Sequence, residues 1–350
     1  TDATAKIIQQ FTEKHPNITA YYNKNHGQGY ERNFGIKKAH GRYIHFMDSD
    51  DLIDPNGYET LYNIAFENDL DNILFEAKTF YESKELADKL PQYKSYYRRK
   101  TVFPKLYSGK ELFVKLKNTV GILASPCLQL IKREFLLKND IYFPPLRSFE
   151  DNLFTFKSIV FAKQIAVLPN AFYSRRIRSN STMTSVKSKE AVNALAYTVS
   201  EIAKIYISLP EQTEYSVTVL KHIFLLCDVM KSHYENACKA GKYPNVDDFG
   251  DTAAAIACCL LISNAKHNGN ISAHTNEDYR QLYLKLQKTY REKSEINAKL
   301  QQTYKEKSEL NAKLQKTYKE KSEKTKQIKK LEKWSLYPLL RKVKRFLKKK

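Results

Sequence analysis

Three carboxylates fall within four positions at Asp48-Ser49-Asp50-Asp51, directly after the apolar run Ile44-His45-Phe46-Met47. In extended backbone alternate side chains point to one side, so Asp48 and Asp50 converge and repel unless a cation lies between them. Such a pair suits a hard divalent ion, Mn²⁺ or Mg²⁺, which takes oxygen ligands and keeps open positions for the oxygens of a diphosphate. A second acidic pair, Glu150-Asp151, opens a run of helical character, and Tyr173-Ser174-Arg175-Arg176-Ile177-Arg178 gathers three arginines. Planar guanidinium groups pair bidentately with phosphate oxygens, which makes that segment a candidate diphosphate clamp. Upstream, Arg32 and Asn33 lie just after Gly27 and Gly29, in the first turn of a helix whose N–H groups and dipole favour anions. Each feature also has a plainer reading. Asp-Ser-Asp-Asp is good turn chemistry, Glu150 and Asp151 are ordinary helix-dipole partners, and Arg32 and the arginine segment could be solvated surface.

The elements that must position these groups are legible in outline. Ile44 to Met47 has the near-continuous apolar character of a buried strand in a parallel sheet, and ligands of open α/β sheets collect at the carboxyl ends of such strands. Helices are expected over 3–14, over 30–40 after the glycine loop, over 58–67 after Pro55 and Gly57, over 133–138, and from Glu150 through Phe154, Phe156 and Ile159. Short strands are expected at 18–22, 73–77 and 166–169. The polar, Lys- and Tyr-rich stretch 82–105 has no clear period and reads as a mobile loop or β-excursion over the acceptor side.

Taken together, Gly27, Gly29, Arg32-Asn33-Phe34-Gly35-Ile36, Ala39, Gly41-Arg42-Tyr43-Ile44 and Phe46-Met47-Asp48-Ser49-Asp50-Asp51 resemble the family 2 glycosyltransferases, inverting enzymes of the GT-A fold. Phe149-Glu150-Asp151-Asn152-Leu153-Phe154 and Tyr173 to Arg178 with Ser181 resemble that family's catalytic acid pair and downstream basic segment. The resemblance implies an α/β, Rossmann-like nucleotide-sugar domain whose first strands are missing, since the chain opens where the family's acidic Gly-Ser turn closes. It implies transfer, with inversion, from a nucleotide sugar, of UDP type, to a hydroxyl of a glycan or lipid-linked glycan acceptor. Asp151 would be the general base with Glu150 supporting it. Asp50 or Asp51 would hold the metal, and Arg32, Asn33, Asp48, Arg176 and Arg178 would bind the donor. The rival is a non-catalytic truncated domain serving as a membrane-associated coiled-coil scaffold.

Composition sets the remaining bounds. With 350 residues and 42% hydrophobic content the chain can build more than one packed unit. The net charge of +21 is concentrated: residues 281–350 hold 23 Lys or Arg against 7 Glu, so the rest of the chain carries only +5. Five cysteines without Cys-x-x-Cys spacing read as reduced thiols of a cytoplasmic protein. No apolar stretch approaches the ~18 residues of a spanning helix, so membrane contact would be peripheral, on the inner face of the cell membrane. The expected division is a transferase domain at 1–185, a helical region at 186–275, a repeat helix at 276–332 and a basic amphipathic tail at 333–350. The repeat has a period of 14, two heptads, with Leu286, Ile296, Leu300, Leu310 and Leu314 at a and d but Lys293, Lys307, Thr289 and Thr303 interrupting, which reads as a long exposed helix or a weak, oligomeric coiled coil. In the tail Leu339, Leu340, Val343, Phe346 and Leu347 share one face opposite Lys and Arg, the pattern of a helix lying on anionic headgroups; docking on the protein's own core is the competing reading. Nucleic acid is not expected as a partner, because the cations alternate with Glu and lack interleaved aromatic platforms.

Overall fold

In the computed structural model the run before the acidic cluster forms strand β1 (Tyr43–His45), with Ile44 and Phe46 buried and Met47 already exposed. It pairs antiparallel with β5 (Gln129–Lys132), which pairs antiparallel with β3 (Asn72–Leu74), and β3 runs parallel to β6 (Ile165–Val167), giving the order β1-β5-β3-β6. The expected parallel surroundings of β1 are therefore corrected. A 3₁₀ turn at Pro126–Leu128 feeds β5 into the sheet at the end where β1 leaves it, so the two strands run in opposite directions. A second sheet, in the order β2 (Leu52–Ile53), β7 (Tyr173–Ile177), β4 (Ala77–Tyr81), has β7 antiparallel to β2 and parallel to β4.

The structure describes residues 3–99, 101–179, 189–210, 213–239, 241, 299, 302–303, 305–310, 312–330, 341–342 and 344–345. Two compact units are present, Thr1–Tyr279 and Arg280–Lys350. In the first, α1 (Thr4–Lys14) buries no residue, and the strand expected at 18–22 is not formed: the stretch has no ladder partner among the described residues. Helix α2 (Gln28–Lys38) starts at Gly27, whose φ of 96° suits glycine. Helix α3 (Pro55–Glu67) is capped by the Asp54 side chain with proline in its first turn. The stretch expected to be loop or β-excursion instead carries α4 (Lys84–Lys89), capped by Ser83, and a 3₁₀ turn at Pro91–Ser95; the cap and the proline supply local order that no hydrophobic period announces.

Helix α5 (Gly109–Thr119) opens with a complete capping box between Ser108 and Glu111. It packs on α7 (Glu150–Val160), which follows α6 (Arg133–Lys138). A buried polar network locks α7 to the sheet: Asn72 Nδ2 and Ser158 Oγ both donate to Gln129 Oε1, at 2.8 and 2.7 Å, while Gln129 Nε2 donates to Thr155 Oγ1 at 3.2 Å. Each partner lost from such a network would leave a buried polar atom unpaired, so the position of α7 is strongly specified. Helix α8 (Lys189–Ile207) packs on α7 and on α9 (Glu214–Lys239), and α9 packs on α5. The His222 ring of α9 stacks on Phe156 and meets Phe113 edge-on. The boundary expected near 185 thus separates sequence patterns, while both helices pack in the same unit as the sheets. The third apolar run of the helical region, 253–262, lies outside the described residues.

In the second unit the repeat is helical at 302–303, 305–310 and 312–330 with exposed side chains. Most of the tail, 333–350, lies outside the described residues; 341–342 and 344–345 are helical and exposed. Among the described residues no helix is long and apolar enough to cross a membrane.

Candidate active site

The acidic cluster leaves β1 on a turn closed by the Asp51 N–H on the Asp48 carbonyl oxygen, at 3.2 Å. Three arginines meet it, Arg32 from α2 and Arg175 and Arg178 from β7 and the residue that follows it. Asp48 Oδ1 accepts from Arg32 Nη2 on α2 at 2.9 Å and from Gln28 Nε2 at 3.0 Å, and its Oδ2 pairs with Arg175 Nη1 on β7 at 2.9 Å. Asp50, partly exposed, pairs through Oδ2 with the surface side chain of Arg178 at 2.7 Å. Burial pushes its carboxyl up, but the hydrogen bond and charge of Arg178 outweigh this and hold it below the usual range.

Asp51 is 4% exposed and turned inward. Its Oδ1 accepts the Arg176 N–H at 2.8 Å, its Oδ2 accepts the Tyr173 hydroxyl at 2.8 Å, and Arg175 Nη1 lies 3.4 Å from Oδ2. Burial raises its pKa against the pull of those two donors. With both oxygens committed to protein donors, Asp51 ties the turn to β7, and of the two candidate metal ligands only Asp50 faces outward.

Arg32 joins the cluster to the second acidic pair, since its Nη1 reaches the buried Glu150 Oε1 at 3.3 Å. The approach of α2 to Glu150 depends on Gly29: a Cβ there would lie 3.2 Å from Phe143 Cβ and 3.3 Å from Glu150 Cγ. Phe149, immediately before the pair, has φ 57°, the left-handed region that few non-glycine residues enter, and its ring rests against His233 of α9. Asp151 is half-buried in the first turn of α7. Burial and the adjacent Glu150 charge push its carboxyl up to about 7, against the opposing charges of Arg32 and Arg175. A carboxyl poised there exchanges a proton readily near neutral pH.

The 95–99 segment completes the site. Glu76, buried in the link between β3 and β4, accepts the Arg99 N–H at 2.8 Å and pairs with Arg98 at 2.6 Å. This anchor sets the buried Tyr97 ring 5.9 Å from the Arg175 guanidinium and leaves the neighbouring Tyr96 ring exposed, its hydroxyl pushed above the usual range first by partial desolvation and then by the charges of Tyr93 and Asp151.

Two expected donor ligands do not enter the cluster by their side chains. Asn33 exchanges two 2.8 Å hydrogen bonds with the Phe143 backbone, pinning the segment ahead of Glu150 to α2. Arg176 places its guanidinium 5.3 Å from the Phe80 ring and gives the site only its N–H. The reason is strand alternation: on β7 residues 173 and 175 face the acids and 176 faces away. Arg175 and Tyr173 lie in the segment the sequence marks as a candidate clamp but were given no individual role there, and Gln28 was not singled out at all. Reading 173–177 as a strand would have selected the first two. Among the described residues no group of three His, Cys, Asp or Glu forms a self-sufficient metal cage.

Residues 1–137 match the family described as Glycosyl transferase family 2. The match contains the Asp48–Asp51 cluster and Arg32 but ends before Glu150, Asp151 and Arg175. Similar proteins include a cholesterol galactosyltransferase of Borreliella burgdorferi, 26% identical over 55% of this chain and 55% of that protein. The poly(ribitol-phosphate) beta-N-acetylglucosaminyltransferase TarS of Staphylococcus aureus is 27% identical over 53% of this chain and 30% of its own length. An uncharacterized glycosyltransferase, YibD of Escherichia coli, is 39% identical over 20% of this chain and 21% of that protein. The chain thus spans about half or less of the length of these relatives. Among solved structures, residues 1–349 of S. aureus TarS in complex with UDP-GlcNAc align with TM-score 0.50 and 20% identity, over 83% of this chain and 80% of that one, a likeness of fold.

Proposed function

We propose, from a family 2 glycosyltransferase segment at 1–137 whose acidic cluster is wired to a second acid pair beyond it, that the chain transfers a sugar from a nucleotide-sugar donor, of UDP type, to a hydroxyl of a glycan or lipid-linked glycan with inversion. The observation that carries this is Asp151, an acid pushed up to about 7, beside a Glu150 that Arg32 couples to Asp48. Asp151 takes the proton of the acceptor hydroxyl as that oxygen bonds to the anomeric carbon. The bond from that carbon to the diphosphate breaks on the opposite face, and its electron pair leaves with the nucleoside diphosphate. Glu150, fixed by Arg32, orients the pair and sustains the basicity of Asp151. Asp48 and Arg32 orient the donor, with Arg178 and Arg175 available to its phosphates. The exposed ring of Tyr96 offers an apolar face to the acceptor.

The cluster fits a Mn²⁺ or Mg²⁺ that arrives with the donor. Asp50 is the outward-facing acid and would hold it, and such ions bind through one or two carboxylates plus substrate phosphates. When bound, the ion supplies Lewis-acid neutralisation of charge on the leaving diphosphate. The basic tail would lie on anionic lipid at the inner face of the cell membrane, near a lipid-linked acceptor. The scaffold alternative finds no support in the relatives, which are named as transferases. Calorimetric titration of the full chain with UDP, with and without Mn²⁺, tests the reading; absence of UDP binding in the presence of the ion would overturn it.

A further inference from the structure

The C-terminal repeat leaves an apolar stripe uncovered: Leu310 is 67% exposed, Leu314 53%, Tyr318 68% and Ile328 57%. We infer that a second copy of this chain covers the stripe, the two repeat helices pairing parallel and in register as a dimeric coiled coil. A strict seven-residue spacing of seam positions, here Leu300, Leu310, Leu314 and Ile328 at a or d, keeps one face toward a partner helix only if the two supercoil.

The charges identify the partner and the orientation. The lysines that interrupt the a positions, Lys293, Lys307 and Lys321, are each preceded at g by a glutamate, Glu292, Glu306 and Glu320. Where a is leucine, at Leu300 and Leu314, g is instead lysine, Lys299 and Lys313. In a parallel in-register pair the residue at a lies beside g of the other helix, so each of the three a-position lysines meets a glutamate of the second copy, while Lys324, at d, lies beside Thr325 and extends to solvent. In an antiparallel pair a lies beside e, where this repeat has Tyr304, Asn311, Tyr318 and Thr325 and no acid. The g residues also find complements at e of the second copy. Lys313 lies opposite Tyr318, a cation over an aromatic ring, and Glu306 lies opposite Asn311.

The threonines of the seam do not oppose burial. Thr303 Oγ1 donates to the Lys299 carbonyl oxygen at 2.9 Å and Thr317 Oγ1 to that of Lys313 at 3.0 Å, so each turns a methyl group to the partner. Two lysines per a layer can bend out to their glutamates in a dimer, whereas three would crowd one axis in a trimer, so charge at a sets the number of strands as well as the register.

Sedimentation equilibrium of the full chain is expected to show a reversible monomer–dimer equilibrium. In Glu306→Lys with Glu320→Lys the dimer dissociation constant rises at least roughly tenfold, because attractive pairs become repulsive ones in both strands. Adding Lys307→Glu and Lys321→Glu restores complementarity and returns the constant to near the original. Leu310→Cys under mild oxidation gives a covalent dimer that the unsubstituted chain, with its own five cysteines, does not give, since d faces d only in the parallel pair. A monomer at all concentrations, a trimer, a dimer indifferent to the glutamate reversals, or failure of Leu310→Cys to cross-link would each overturn the proposal.

Discussion

At the scale of single residues, adjacent carboxylates of the same cluster carry different burdens. Asp51→Ala would strip partners from Tyr173, the Arg176 N–H and Arg175 at a buried site, and loss of a buried hydrogen-bonded charge costs about 3–5 kcal/mol. Chemical denaturation should show that loss, whereas Asp50→Ala, at the surface, should leave stability within about 0.5 kcal/mol and remove metal-dependent UDP binding instead. Asp151→Asn is expected to keep UDP binding and reduce transfer by at least ~100-fold, and in the unsubstituted chain transfer should rise with pH through about 7 as the base loses its proton. The sign for stability is the reverse of the usual carboxylate case. A pKa raised above that of the unfolded chain makes the ionised form a burden on the fold as pH rises from the unfolded value to about 7. Asp151→Asn should therefore be more stable than the parent at pH 8, by on the order of 1–3 kcal/mol, with the difference vanishing near pH 4. Retained transfer in Asp151→Asn would remove it as the base. The acids themselves were legible in the sequence because they are concentrated after one apolar run. Their division of labour was not: whether Asp50 or Asp51 turns inward is decided by Tyr173 and Arg176, more than a hundred residues away.

At the scale of elements, the apolar runs that became β1, β3 and β6 were legible as strands and several helices as helices, but strand direction and partners, the strands β2, β5 and β7, and α5 despite its capping box were not. Arg133–Lys138 and Glu150–Val160 carry their own periodicity and end signals. The direction of β5 and the facing of β7 depend on ladders closed only in the fold, which is why Arg176 was preferred to Arg175. The α5–α7 contact gives a sharp prediction. A Cβ on Gly109 would sit 1.8 Å from the Ile159 carbonyl oxygen, backbone that cannot turn aside. Gly109→Ala should cost roughly 3 kcal/mol or more and lower Tm accordingly, against the few tenths expected if the glycine were merely a helix start. Helix α9 adds a pH dependence. Burial and the nearby Lys117 charge push His222 down to about 3, so the folded chain keeps it neutral while the unfolded chain protonates it. Stability contributed by that neutral ring is full above about 6.5 and is lost as pH falls, by about 2 kcal/mol at pH 5; His222→Leu should flatten the slope measured by denaturant titration.

At the scale of the whole molecule, chemistry and charge are kept in different units: the acids and arginines lie in Thr1–Tyr279, and the excess basicity in Arg280–Lys350. The tail's seven Lys or Arg in the last ten residues would contribute about 1 kcal/mol each near an anionic surface. Flotation of the full chain with anionic vesicles should be strong at low salt, weak at high salt, and lost in a version ending at Glu332. Equal recovery of the two would remove the membrane from the picture. Within the first unit, Arg32 holds one carboxylate from each end of the site, Asp48 at 2.9 Å and Glu150 at 3.3 Å, with one guanidinium. That sharing works as an interlock. On the proposed function, a diphosphate that claimed Arg32 would take it from Glu150, whose charge would then bear less shielded on Asp151, so the proposed base would be strongest once the donor is seated. The expected signature of that coupling is an apparent pKa on kcat that lies above the one on kcat/KM; equal values would refute it.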